Sequence, residues 1–196
     1  MKTQREILKI KAVEQYIISQ LGGEVDFMKL FKLLYFAQQR LLVDAGLPLM
    51  NDTFKAVPHG PVPSFTYKCF DHQLNDKPMT DDMKNFMQDF HVFVKNIDGK
   101  QITFVSCEVE HNMKMLSGVD KQYLDGVIKE YGDKDAIELS KLSHKDKAWI
   151  EARNRKQGDV EKNIMNFEDI AEAGGADERV VDYIHESRII KQAFAK

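Results

Sequence analysis

The chain has 196 residues and a mass of 22.6 kDa, which suits one domain with at most an appended element. Apolar residues at 43% and charged residues at 30% exclude a disordered chain, and a formal charge of −3 offers no generic attraction to nucleic acid or anionic membrane. No apolar run approaches the roughly 18 residues of a membrane span, the charged opening MKTQREILKIKAVEQ lacks the apolar centre of a secretory signal, and two cysteines are too few for a disulfide scaffold, so a soluble cytoplasmic protein is expected.

Ile7, Leu8, Ile10, Val13, Tyr16, Ile17 and Leu21 recur at three- and four-residue steps and predict an amphipathic first helix, ended by Gly22-Gly23. Asp26 is a fitting N-cap for a second helix reaching about Ala45, with Gly46 at its C-terminal end. That helix is apolar round most of its circumference (Phe27, Met28, Leu30, Phe31, Leu33, Leu34, Tyr35, Phe36, Ala37), the mark of a central buried element. A short strand from Thr53 to Val57 leads into FKAVPHGPVPS. Pro58, Pro61 and Pro63 each fix φ and remove a backbone donor, and Gly60 is free to take positive φ. The stretch is therefore expected to be a stiff, shaped loop with no regular element running through it.

Ser64 is the expected cap of a short helix carrying Phe65, Tyr67, Cys69 and Phe70. Thr80-Asp81-Asp82 opens another, with Met83, Phe86, Met87 and Phe90 facing inward. Alternating apolar and polar residues on either side of Asp98-Gly99 give a two-residue hairpin signal. Leu124, Val127, Ile128 and Tyr131 mark a helix ended by Gly132; DAIELSKL is the next. Ser143, with Asp146 three residues on, is expected to start SHKDKAWIEARNR by a variant capping box. From Phe167 onward the chain reads as two helices about a glycine turn. The expected fold is mainly α: a single compact helical domain with a small β-hairpin or short sheet and C-terminal helices.

Chemistry-bearing constellations are few. Cys69, His72, Cys107 and His111 supply the two thiols and two imidazoles of a structural zinc site, but nothing in the spacing brings the pairs together, and Cys69 beside Phe65 and Phe70 is ordinary packing. No metal and no cofactor is expected. There is no G-x-S-x-G, P-loop or G-x-G-x-x-G, and neither cysteine sits in a setting that lowers its pKa, so no enzyme activity is expected. His59 and His144 are the most reactive-looking imidazoles, yet no acid is fixed beside either, and each reads better as a loop hydrogen-bonder or surface residue. Ala171, Gly175 and Val181, with Ile170 and Ile184, have the spacing of a helix-turn-helix. Its second helix would set Asp177, Glu178, Asp182 and Glu186 against a single Arg179, which repels phosphate, so nucleic acid is not an expected partner. Lys141, Lys145, Lys147, Arg153, Arg155 and Lys156 read as a solvated helix face, with an acidic partner as the alternative.

MKLFKLLYFAQQRLLVDAGLPLMNDTFKAVPHGPVPSFTYKCF resembles the Panacea domain, the SocA-like antitoxin domain of bacterial and phage toxin–antitoxin pairs. Lys29, Leu30, Lys32, Leu33, Leu34, Tyr35, Phe36 and Ala37 match its long helix, Gly46, Pro48 and Leu49 its G-x-P-L, and Phe54, Ala56, Gly60, Pro61, Val62, Tyr67 and Phe70 the segment beyond. Tyr131-Gly132, then Glu138, Leu139, Ser140, Leu142, Ser143, His144 and Trp149 occupy the places of its second block. The resemblance covers about Met28 to Arg153. It divides the chain into a Panacea-like region 1–156, with a possible lineage-specific insertion at 80–115, and a C-terminal helical extension 157–196. Lys29, Leu33, Tyr35, Phe36, Gly60, Pro61, Val62 and His144 are then structural motif residues, and the proline loop is first of all an architectural corner.

The function this resemblance implies is that of a non-enzymatic cytoplasmic antitoxin, prophage-borne or chromosomal, that binds a cognate protein toxin directly and in one family type delivers it to a cellular protease. A DNA-binding regulator, or a phage-borne protein that binds a host defence factor, is the alternative. His59, Tyr67, Trp149 and Arg153 are the candidate partner-binding residues, with a core role as the other reading of Trp149.

Overall fold

The computed structural model of the protein describes residues 2–107, 113–156 and 162–194. The first helix, α1, runs Gln4–Gln20 and opens with a capping box: Thr3 Oγ1 accepts the Glu6 amide at 3.2 Å and Glu6 Oε2 accepts the Thr3 amide at 2.8 Å. After β1 (Glu24–Asp26), Asp26 starts α2 (Phe27–Ala45) by accepting the amides of Met28 and Lys29 at 2.7 and 3.2 Å. Gly46 ends α2 in the left-handed conformation at φ 65. The all-round apolarity of α2 has the predicted consequence. Leu30, Phe31, Leu33, Leu34, Tyr35, Ala37 and Leu42 are buried, and α1, the helices Gly118–Tyr131, Ala136–Ser143 and Phe167–Ala173, and the strand Gly60–Pro63 all pack against it.

Around that axis come β2 (Phe54–Val57), β3 (Gly60–Pro63), α3 (Ser64–Leu74), α4 (Asp81–Met87), β4 (Phe90–Ile97) and β5 (Lys100–Cys107). α5 (Gly118–Tyr131), α6 (Ala136–Ser143), α7 (Lys147–Asn154), β6 (Ile164–Met165), α8 (Phe167–Ala173) and α9 (Glu178–Phe194) complete the chain. One three-stranded antiparallel sheet has the order β1-β5-β4, its hairpin turning at Asp98 (φ 50) and Gly99 (φ 78) as the sequence predicts. Phe90, Val92 and Val105 of this sheet are buried. Phe70 lies 5.7 Å from Phe90 and Phe65 5.1 Å from Phe86, so α3, α4 and the hairpin share one aromatic cluster with Phe31 of α2.

The second sheet corrects the sequence reading of the proline stretch. FKAVPHGPVPS is not an irregular loop: β2 and β3 form an antiparallel hairpin with Val57 opposite Gly60 and Phe54 opposite Pro63, and β6 pairs on the far side of β2. The prolines are compatible with the ladder because β3 is an edge strand and they occupy alternate positions. The Ala56 amide turns away from β3 and donates to Asn163 O at 2.7 Å. Lys55 and Val57 are left to face Val62 and Gly60, the two residues of β3 that still have amides.

Two caps also differ from expectation. Helix α3 is capped from a distance: the Asp52 carboxylate accepts the amides of Phe65 (3.0 Å) and Thr66 (3.3 Å), and Ser64 Oγ makes no cap bond. Ser143 ends α6 instead of starting a helix, and Asp146 alone caps α7 by accepting the Ala148 amide at 2.9 Å. At the C-terminal side, a Cβ added at Gly174 would meet Val43 Cγ2 at 2.5 Å, which measures how closely the end of α8 sits on α2. Ile170, Ala171 and Ile184 join the same buried cluster as α1 and α2. Among the described residues no helix is long and apolar enough to cross a membrane.

Candidate partner-binding face

The turn between β2 and β3 exposes Pro58 and His59, and side chains from three helices fix the backbone beneath them. Trp149 Nε1 of α7 donates to Val57 O at 3.0 Å. His144, the C-cap of α6, hydrogen-bonds to the Pro58 backbone, and Ser140 Oγ donates to His59 O at 2.9 Å. Lys32 Nζ of α2 donates to Pro61 O at 2.9 Å. Four backbone positions within five residues are thus engaged by side chains, which leaves the turn little freedom to rearrange. Gly60 is required here twice over: its φ is 101, and a Cβ would lie 2.5 Å from both Lys32 Cε and Ser143 Oγ.

The imidazole of His144 stacks on the Trp149 ring, with centroids 4.2 Å apart and planes 21° from parallel. Burial lowers its pKa, and the charges of Lys32, His59 and Arg153 push the same way, so the neutral ring is the native form at neutral pH. Lys32 is wholly buried. Desolvation brings its ammonium down to about 7, opposed only by the Asp26 carboxylate.

The sequence-predicted residues fall into distinct groups. Trp149 stacks on the His144 ring, and His59 and Arg153 lie within electrostatic reach of it. Trp149 is half-buried, its N–H committed to Val57, so its structural role is direct and only part of the ring faces solvent. Tyr67 is exposed on α3 with its ring edge-on to Phe31 at 6.2 Å, and no described contact joins it to the other three. Lys29 donates to Gly132 O, tying α2 to the end of α5, while Phe36 packs on Tyr131 with centroids 4.8 Å apart. Leu33 and Tyr35 are buried, Tyr35 edge-on to Phe54 at 5.5 Å. Pro61 and Val62 are buried in β3.

Of the zinc set, Cys69 is buried with its thiol pushed up by desolvation, and His72 is half-buried and bonds Pro78 O through Nδ1 at 2.6 Å. Cys107 pairs with Phe90 across the hairpin, and His111 lies outside the described residues. Among the described residues no group of three or more His, Cys, Asp or Glu could hold a metal ion. The glycine turn at 174–175 does join two helices, with Asp182 and Glu186 exposed on α9 and Arg179 held to Asp177 at 3.0 Å.

Lys32, Ser140 and Ser143 were not singled out as site residues. A lone lysine two positions from Leu30 in an otherwise apolar helix face was the available signal for the first. Ser140 and Ser143 stood in the sequence as positions of the family's second block, with no role assigned to them there.

The arrangement is a helical body holding a rigid exposed turn. Residues 30–150 match the family described as Antitoxin SocA-like, Panacea domain, and the chain belongs to it. A further similarity is to Antitoxin SocA of Caulobacter vibrioides (strain NA1000 / CB15N), 54% identical over 43 residues, or 22% of this chain and 23% of that protein. The matched segment thus spans less than a quarter of that relative's length. No solved structure matches.

Proposed function

We propose that the protein is the antitoxin of a bacterial or phage toxin–antitoxin pair and that it neutralises a cognate protein toxin by direct binding in the cytoplasm, without catalysis of its own. The face that makes the contact is the β2–β3 turn with the adjoining surfaces of α6 and α7: His59, the open edge of Trp149, and Arg153. The observation that carries this reading is the fixed turn itself. Two exposed residues, Pro58 and His59, sit on a backbone held by Trp149, His144, Ser140 and Lys32, so a partner meets a pre-ordered surface and little chain entropy is lost on association.

Co-expression is the test. The gene adjacent to this one is induced alone and with this chain, and growth is followed. Arrest by the neighbour alone, relieved by this chain and not by a His59→Asp, Arg153→Glu variant of unchanged melting temperature, supports the reading. Relief by the variant equal to that by the wild type would place the contact elsewhere.

A further inference from the structure

We propose that the partner docks through an acidic, partly apolar segment laid across α6 and α7 beside the β2–β3 turn. The inference rests on the antitoxin reading only for the identity of the partner; the chemistry of the segment follows from the face.

Lys141, Lys145 and Arg153 are exposed on α6, α7 and the link between them and make no ion pair among the described residues, and His59 is exposed on the turn that Ser140 and Trp149 hold. Other charges on the same helices are already engaged. Lys147 pairs with Glu172 at 2.9 Å and has Glu151 at 3.9 Å. Glu138 Oε2 accepts the Asp135 amide at 3.0 Å, and the Asp146 carboxylate accepts Gln39 Nε2 at 2.7 Å and the Ala148 amide. Glu138, Asp146 and Glu151 keep their negative charge, Glu138 and Asp146 turned to helix N-terminal amides, and the cations without an ion-pair partner among the described residues are Lys141, Lys145 and Arg153. His59 and Arg153 both lie within electrostatic reach of the His144 ring between α6 and α7.

Apolar residues lie among these cations. Ile137 (57% exposed) is one helical turn before Lys141, Leu142 lies next to it, and Ile150 (40% exposed) is three residues before Arg153 on α7. Cations around exposed isoleucine and leucine match a segment that interleaves carboxylates with apolar side chains. Nucleic acid, the other polyanion, has no use for the isoleucines.

The probe is a short synthetic peptide alternating glutamate and leucine, with its lysine counterpart as control, titrated into the isotopically labelled full chain. Shifts at the Trp149 indole and the amides of α6 and α7, salt-sensitive and at least about tenfold weaker after Lys141→Glu, Lys145→Glu and Arg153→Glu together, are expected. Equal binding of the lysine peptide, or shifts centred on α9, would overturn the inference, as would the absence of any shift. The growth assay separates the two claims. Relief of arrest by wild type and triple variant alike refutes the acidic segment and leaves the antitoxin reading standing. Acidic-peptide selectivity in a chain that never relieves arrest does the reverse.

Discussion

Replacing Lys32 by methionine probes the foundation of the turn. Burial holds the native ammonium at about 7 against an ordinary 10.5. Between those values the unfolded chain binds more protons than the folded one, so wild-type stability rises with pH across the window and the gain is absent below it. The slope is about 1.4 kcal/mol per pH unit, or roughly 3 kcal/mol between about pH 7.5 and about pH 9.5. Lys32→Met keeps the buried volume, removes this proton linkage, and loses the bond to Pro61 O, a cost of about 1–3 kcal/mol for a buried acceptor left unpaired. Near pH 7 the two effects oppose each other and the variant is expected to match or exceed wild type. Wild type gains on the variant throughout this window and is expected to be ahead by about 1–3 kcal/mol above about pH 10.5, where the linkage is exhausted and the lost bond stands alone. Urea unfolding followed by Trp149 fluorescence across this range reads the difference directly. A wild-type-minus-variant gap that stays constant with pH would mean that Lys32 keeps an ordinary ammonium in the folded protein, and the reasoning about its burial would fail.

Other outcomes follow from the same geometry. Gly60→Ala forces a side chain into left-handed backbone and onto Lys32 and Ser143, and a loss of about 2–4 kcal/mol in chemical denaturation is expected. Trp149→Phe keeps a ring against His144 but leaves Val57 O without its donor; thermal unfolding should show about 1–3 kcal/mol lost, and an unchanged melting temperature would contradict the bond's importance. Glu14 is buried, and desolvation raises its carboxyl well above 4.5 despite the hydroxyl donated by Thr66. The folded state therefore holds a proton that the unfolded state releases, and wild-type stability falls as pH rises from 4.5 toward the native value. Glu14→Gln should remove that fall, visible as a flatter melting temperature against pH.

The helices were legible because their signals are local. Asp26 and Gly46 bracket α2, Asp98-Gly99 turns the β4–β5 hairpin, and Thr80 and Asp135 stand where caps are needed. What escaped depends on partners far along the chain. Asp52 caps α3 from thirteen residues before Phe65, so Ser64 looked like the cap. β1 and β6 are short strands whose pairing exists only because β5 and β2 arrive beside them. The β2–β3 hairpin was hidden by its own prolines, whose missing amides look prohibitive until the strand is known to lie at an edge. Of the four residues named from sequence as partner-binding, Trp149 stacks on His144, with His59 and Arg153 within electrostatic reach of that ring, whereas Tyr67 lies on α3. The support beneath them was legible only as motif positions at Lys32, Ser140 and His144, because the backbone carbonyls they act on carry no side-chain signature.

Hydrogen exchange on the chain, alone and with whatever stoichiometric protein a tagged copy retains from its own host through a salt wash, tests the central claim most directly. Protection concentrated at residues 57–63 and 137–153, with a partner that is toxic when expressed without this chain, is the expected result. A toxic partner whose footprint falls on α9 or the β4–β5 hairpin would contradict the proposed face, and the absence of any retained protein would contradict direct binding itself.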